Sequence, residues 1–241
     1  MFHSRLSAGL ALAAVLTAGP AAAQTALTPG HPDLASPPPQ SFAYEVRMAG
    51  TPGRVIGSQT QGETLSGDRL VMASSVSVAM ARQDHADTLV VAWPSLAPLS
   101  LAVRAPDTRV AVSYEGGRVA GRSVLGNLDE ALDAPLPAGA FGPGVGPRLA
   151  RSLPFADGFE ATFETVDAHG AASTGRLRVV EASTAARADG TDVAVWLVEL
   201  AEPGTYAMTY AVDAATREIL GATVRPTPQM VVTIGPPRAA D

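Results

Sequence analysis

The chain has 241 residues, a formal net charge of -6, 46% hydrophobic residues and 17% charged residues, which is enough length and apolar content for one large β domain or two small ones. It contains no Cys, and all 17 of its basic residues are Arg. A disulfide scaffold, Cys-ligated zinc, iron–sulfur clusters, thiol catalysis, a Schiff-base Lys, a phosphate-loop Lys and a Ser–Lys dyad are thereby excluded, and the acidic balance argues against nucleic acid as a partner, because binding phosphate needs a basic face.

The chain opens on an export signal. Met1–Arg5 carries a positive charge, Leu6–Ala18 is an apolar run, Gly19-Pro20 breaks it, and Ala21-Ala22-Ala23 supplies the small residues that a signal peptidase reads. Residues 1–23 are therefore expected to be a signal peptide cleaved after Ala23, giving a periplasmic protein that begins at Gln24. No other apolar run approaches the length of a membrane-spanning helix, so no transmembrane segment is expected in the mature chain. Residues 24–40 contain Thr28-Pro29-Gly30-His31-Pro32-Asp33 and Ser36-Pro37-Pro38-Pro39. Prolines lack the N–H and hold the backbone extended, which predicts a linker that pairs with no sheet.

From Phe42 the hydrophobic period becomes two. Phe42, Tyr44, Val46 and Met48 alternate with Ala43, Glu45 and Arg47, the pattern of a half-buried strand. Strands follow over Arg54–Thr64 and Leu70–Ala81, the latter with Val76, Val78 and Met80 in register, and Gln83–Asp87 reads as a polar turn. Thr88–Trp93 is a further strand, interrupted by Pro94-Ser95-Leu96-Ala97-Pro98 before Leu99–Arg104 resumes. Arg109–Tyr114 and Val119–Leu125 flank Gly116-Gly117, a hairpin signal. Residues 127–147 hold Leu132, Leu136, Phe141 and Val145 among Pro and Gly without a period, and read as a long crossover. A short helix is expected over Arg148–Leu153, before Pro154. Strands follow at Phe159–Phe163, Arg176–Ala182 and Val193–Leu200, then one with Tyr206, Met208, Tyr210 and Val212 on one face, a tight Asp213–Arg217 turn, Ile219–Val224, and a last edge strand at Met230–Ile234. Residues 235–241 form a loose tail.

The sum is about eleven or twelve antiparallel strands with at most one short helix, an all-β fold in a single domain over residues 41–234. A curved sheet or half-barrel manages the edges of so long a meander. An immunoglobulin-type sandwich is the alternative.

Chemistry-bearing motifs are sparse. His85 lies between Asp84 and Asp87, but no two His stand at ligand spacing, and His169 precedes Gly170 in a turn. There is no Gly-x-Ser-x-Gly. Gly142-Pro143-Gly144-Val145-Gly146-Pro147 mimics a phosphate loop only by letters, since its prolines remove donors and no Lys follows. Glu160, Glu164 and Glu199 read as solvent-facing strand carboxylates. No catalytic residue, metal ligand or cofactor is expected, and the chain does not read as an enzyme. Trp93, Leu96 and Leu99, around the two prolines, are candidates for the lip of an apolar cavity. Trp196, Tyr206, Met208 and Tyr210 are candidates for its wall, because Met adapts to irregular shapes and Tyr combines an apolar body with a polar tip.

Several of these pieces in order resemble a known family: Phe42-Ala-Tyr-Glu-Val46, Gly57, Trp93–Leu99, Tyr114–Gly121, Leu153-Pro154-Phe155, Gly158, Val195–Leu200 and Tyr210–Leu220. Together they resemble an uncharacterised family of exported bacterial antiparallel-β proteins, a domain of unknown function of Gram-negative envelopes. The resemblance covers about residues 42–226. It implies a curved sheet with an open concave face, similar in fold to the periplasmic lipoprotein carriers, and it carries over no catalytic residues. Two functions remain open. One is an envelope module that binds or carries an apolar or lipid-like ligand, with residues 127–147 as its lid. The other is a structural or protein-interaction domain with a filled core.

Overall fold

A computed structural model of the chain describes residues 24–49, 54–78, 83–227 and 230–237. The expected signal peptide, Met80 and the end of the tail lie outside the described residues. Among the described residues fifteen strands, beginning with β1 (Thr25–Leu27), form one sheet in the order β1-β10-β11-β12-β13-β14-β15-β2-β3-β4-β5-β6-β7-β8-β9. Thus β10 to β15 (Glu160–Val166, Ala172–Ala186, Asp192–Ala201, Met208–Asp213, Ile219–Thr227, Met230–Gly235) join a meander of β2 to β9 (Ser41–Met48, Val55–Ser66, Arg69–Val78, Gln83–Ala92, Pro98–Ala105, Thr108–Glu115, Arg118–Leu125, Leu128–Pro135). The join is the antiparallel pairing of β15 with β2, with Ile234 opposite Val46. The architecture is the expected all-β curved open sheet, with a few more strands than the hydrophobic period marks.

The sheet wraps toward closure without pairing its ends. A Cβ placed on Gly170, in the turn after β10, would collide with Ala134 at the end of β9. Inward positions alternate as the pleat requires: Leu70 and Met72 on β4, Leu89 and Val91 on β5, Val198 and Leu200 on β12, Tyr210 and Val212 on β13 are buried. What fills the enclosed space is the segment after β9. Ala140, Phe141, Val145, Leu149, Ala150 and Leu153 are all buried there, and Phe141 packs edge-on to Phe163, centroids 6.3 Å apart. The helix within this segment, α1 (Gly146–Ser152), is buried on nearly every side, which is why it shows no amphipathic stripe. Two glycines permit the fit. A Cβ on Gly142 would lie 2.6 Å from a Leu89 methyl, and one on Gly146 would lie 2.5 Å from a Leu200 methyl.

Three expectations are corrected. Residues 24–40 are not a detached linker. Thr25–Leu27 forms β1, parallel to β10, Leu27 is buried, and Pro37 is buried as well. The prolines remove donors but keep their carbonyls, and those carbonyls are used, as shown below. The crossover over 127–147 begins with a regular strand, β9, entered through a hairpin turn in which Gly126 has φ 58°. Its alternation is hidden because Leu128 and Glu130, in phase with the buried Leu132, are exposed; Asp129 and Asp133 on the outer face pair with Arg122 and Arg118 of β8. Finally, Gln83–Asp87 is the start of β5 and not a turn, since every residue from Gln83 to Ala92 pairs with β4.

Candidate ligand pocket at the rim of the sheet

The interior holds two polar features, one sealed and one open. The sealed one lies on the inward stripe Gln59, Gln61, Glu63 of β3. Glu63 Oε2 accepts hydrogen bonds from Arg148 Nη1 at 2.9 Å, Arg151 Nη1 at 2.7 Å and the Gln40 backbone N at 3.0 Å. Arg148 also donates to the Pro37 carbonyl at 2.5 Å and Arg151 to the Pro38 carbonyl at 2.8 Å. Arg151 Nε donates to the Arg217 carbonyl, and Arg217 returns donors to the carbonyls of Arg151 and Leu153. Arg148 is 0% exposed and its guanidinium lies 4.9 Å from the centre of the Trp93 ring. Burial pulls Arg148 below its ordinary range, and Glu63 acts in the opposite sense. The group ties α1, the Pro-rich segment and β3 together as a latch.

The open feature is a pocket of about 370 Å³ where the filling segment stops short of the rim. One wall is Gln59 and Gln61 of β3, Ser74 of β4 and Asp87 of β5; the facing wall is Leu200 of β12, Met208 and Tyr210 of β13 and Val224 of β14. Gly144 and Pro147 make its floor, and the β12–β13 loop contributes Glu202, Thr205 and Tyr206. Tyr206 stands 62% exposed at the mouth. Asp87 Oδ2 lies 3.1 Å from His85 Nε2. Burial raises the Asp87 carboxyl, with His85 opposing, and burial alone raises Glu202. Burial, followed by the nearby charge of Glu202, holds the Tyr210 hydroxyl in its neutral form.

Of the seven residues expected at a ligand site, the pocket brings together Tyr206, Met208 and Tyr210. Tyr206 belongs to the loop, not to the strand face of the other two. The remaining four are elsewhere. Leu96 is 2% exposed in the core, and Trp93 packs over Arg148, so the two-proline segment is a filled corner and not a lip. Leu99 is half-buried on β6. Trp196 shares the inward face of β12 with Leu200 but lies two pleats further along, tilted on Phe155 with centroids 6.1 Å apart. Sequence reasoning missed the polar wall. The available signal was phase: Asp87 precedes Leu89 and Val91 in inward register, and Gln59 and Gln61 precede Glu63.

Among the described residues no group of three or more His, Asp or Glu is arranged to hold a metal ion, and no helix is long and apolar enough to cross a membrane. No family model matches the sequence, and no curated protein matches it. Among solved structures, the chain is similar to the crystal structure of a β-barrel-like protein of domain of unknown function DUF1849 from Brucella abortus. The TM-score is 0.53 at 11% identity, over 89% of this chain and 98% of that one. The likeness shows the fold: an all-β, barrel-like domain.

Proposed function

We propose that the chain is an exported, non-catalytic β domain of the bacterial cell envelope that binds a small, partly apolar ligand at the rim pocket. The observation that carries the reading is the unfilled space itself. The same segment that packs the interior leaves space beside Gly144 and Pro147, with Tyr206, Met208 and Tyr210 around a concavity of a size ordinary for small-molecule sites. Export rests on the apolar run Leu6–Ala18 and the alanines that follow it. A fluorescent neutral probe, N-phenyl-1-naphthylamine, is expected to bind saturably to the chain starting at Gln24. Met208→Trp, which fills the space, is expected to abolish that binding with the circular dichroism spectrum unchanged. Binding that survives Met208→Trp would remove the pocket reading. N-terminal sequencing of the exported protein is expected to start at Gln24, and retention of Met1 would remove the export reading.

A second reading is favoured by the filled interior. With Phe141, Leu149 and Leu153 buried at its centre, the sheet has no room for a long acyl chain, which supports an envelope interaction domain. Absence of any probe binding to the intact protein would leave this reading standing.

A further inference from the structure

Resting on the rim pocket as a ligand site, we propose that its ligand is an amphipathic cation, a protonated amine on a short apolar body, and not a fatty acid or other anionic lipid. The argument is from sign and placement. The pocket carries two carboxyl groups from opposite walls, Asp87 on β5 and Glu202 after β12, and no Arg or His is among its described lining residues. Glu202 forms no ion pair among the described residues, and Asp87 has His85 as its neighbour on the same strand. The cations inside the fold are committed elsewhere: Arg148 and Arg151 are spent on Glu63, Pro37 and Pro38 in the sealed latch.

An anionic head entering here would therefore meet two carboxyl groups in a partly desolvated place, with only the His85 ring, already hydrogen-bonded to Asp87, near enough to compensate. An ammonium head would restore to both carboxylates the stabilisation that burial removed. The rest of the lining suits the same guest. Tyr206 and Tyr210 line it with aromatic rings, and aromatic rings attract cations over their faces. Leu200, Met208 and Val224 offer an apolar wall on the side of the pocket away from Asp87. The volume of about 370 Å³ admits a head and a short tail, and the filled interior behind Gly144 stops a longer one.

The test is titration calorimetry with three probes of equal tail length, octylammonium, octanol and octanoate, at neutral pH and low salt. Octylammonium is expected to bind saturably, at least about tenfold tighter than octanol, with octanoate weakest. Glu202→Gln and Asp87→Asn are each expected to lower octylammonium affinity about tenfold while leaving octanol affinity within about twofold, because they remove charge and keep shape. Octanol binding as tight as octylammonium, or octanoate binding tighter than either, would overturn the charge inference and leave the pocket reading intact. The charge inference falls equally if both carboxamide variants bind octylammonium like the parent. Failure of all three probes would overturn the pocket reading with it.

Discussion

The sealed latch and the rim pocket are built from the same stripe of β3, and they behave as opposites. At Glu63 the inward carboxylate is met by two guanidiniums and a backbone N–H, and the guanidiniums are in turn accepted by two proline carbonyls brought from a distant segment. At Gln61 and Gln59, one and two pleats away, the facing residues leave space; burial raises the carboxyls of Asp87 and Glu202, and of the two only Asp87 has an ion-pair partner, His85. A buried polar group with its partners supplied holds a fold in one arrangement. A half-buried group without them is a place for something else to bind. The filling segment serves both ends: its helix supplies the arginines of the latch, and its Gly144 and Pro147 line the pocket.

The contrast predicts a hierarchy of mutational effects. The largest belongs to the latch. Glu63→Ala leaves Arg148 and Arg151 as buried like charges, and it is expected to cost about 3–5 kcal/mol in urea denaturation, the cost of breaking a buried pair from one side. A loss of less than about 1 kcal/mol would mean that the site is wet, and would erase the distinction. The intermediate effect lies at the boundary between the two regions. In Gly146→Ala the new methyl meets Leu200, which lines the pocket. The expected cost is about 1–3 kcal/mol from overpacking, together with weaker probe binding as Leu200 is pushed into the pocket. Loss of stability with unchanged probe affinity would show that the two regions are independent. The smallest effect on stability belongs to the rim. Tyr206→Ala removes a side chain that is 62% exposed, so denaturation is expected to shift within about 0.5 kcal/mol while probe affinity falls severalfold. A stability loss like that of the latch would show that Tyr206 supports the fold.

Much of the sheet was legible because its signal is local. Alternation over Phe42–Met48 and Arg109–Tyr114 and the Gly116-Gly117 hairpin each need only neighbours in the chain, and all became strands and turns. The Asp213 turn formed as its residues dictate, with Asp213 Oδ1 accepting from the N–H groups of Ala215 and Thr216 at 2.8 Å. The short helix before Pro154 was legible for the same reason. Where the reading failed, the local pattern was broken or too short. β9 looks irregular because Leu128 and Glu130, in phase with the buried Leu132, are exposed, and β1 is only three residues long, too short to show a period.

For the site, residue type alone was enough to single out Tyr206, Met208 and Tyr210, whose side chains suit an adaptable apolar wall. It was not enough to exclude Trp93, Leu96 and Trp196, which have the same chemistry but are packed against α1, the core and Phe155. The sequence by itself determined the all-β class, the strands of the meander and the absence of Cys and Lys chemistry, since each follows from composition or from a period of two. The tertiary structure alone decided what occupies the inside. Whether a Gly- and Pro-rich segment lies over a sheet as a lid or enters it as packing depends on contacts such as Gly142 with Leu89 and Gly146 with Leu200, between residues more than fifty positions apart. Those contacts leave no periodic trace along the chain, because shape complementarity at close range is a property of two surfaces and not of either sequence segment.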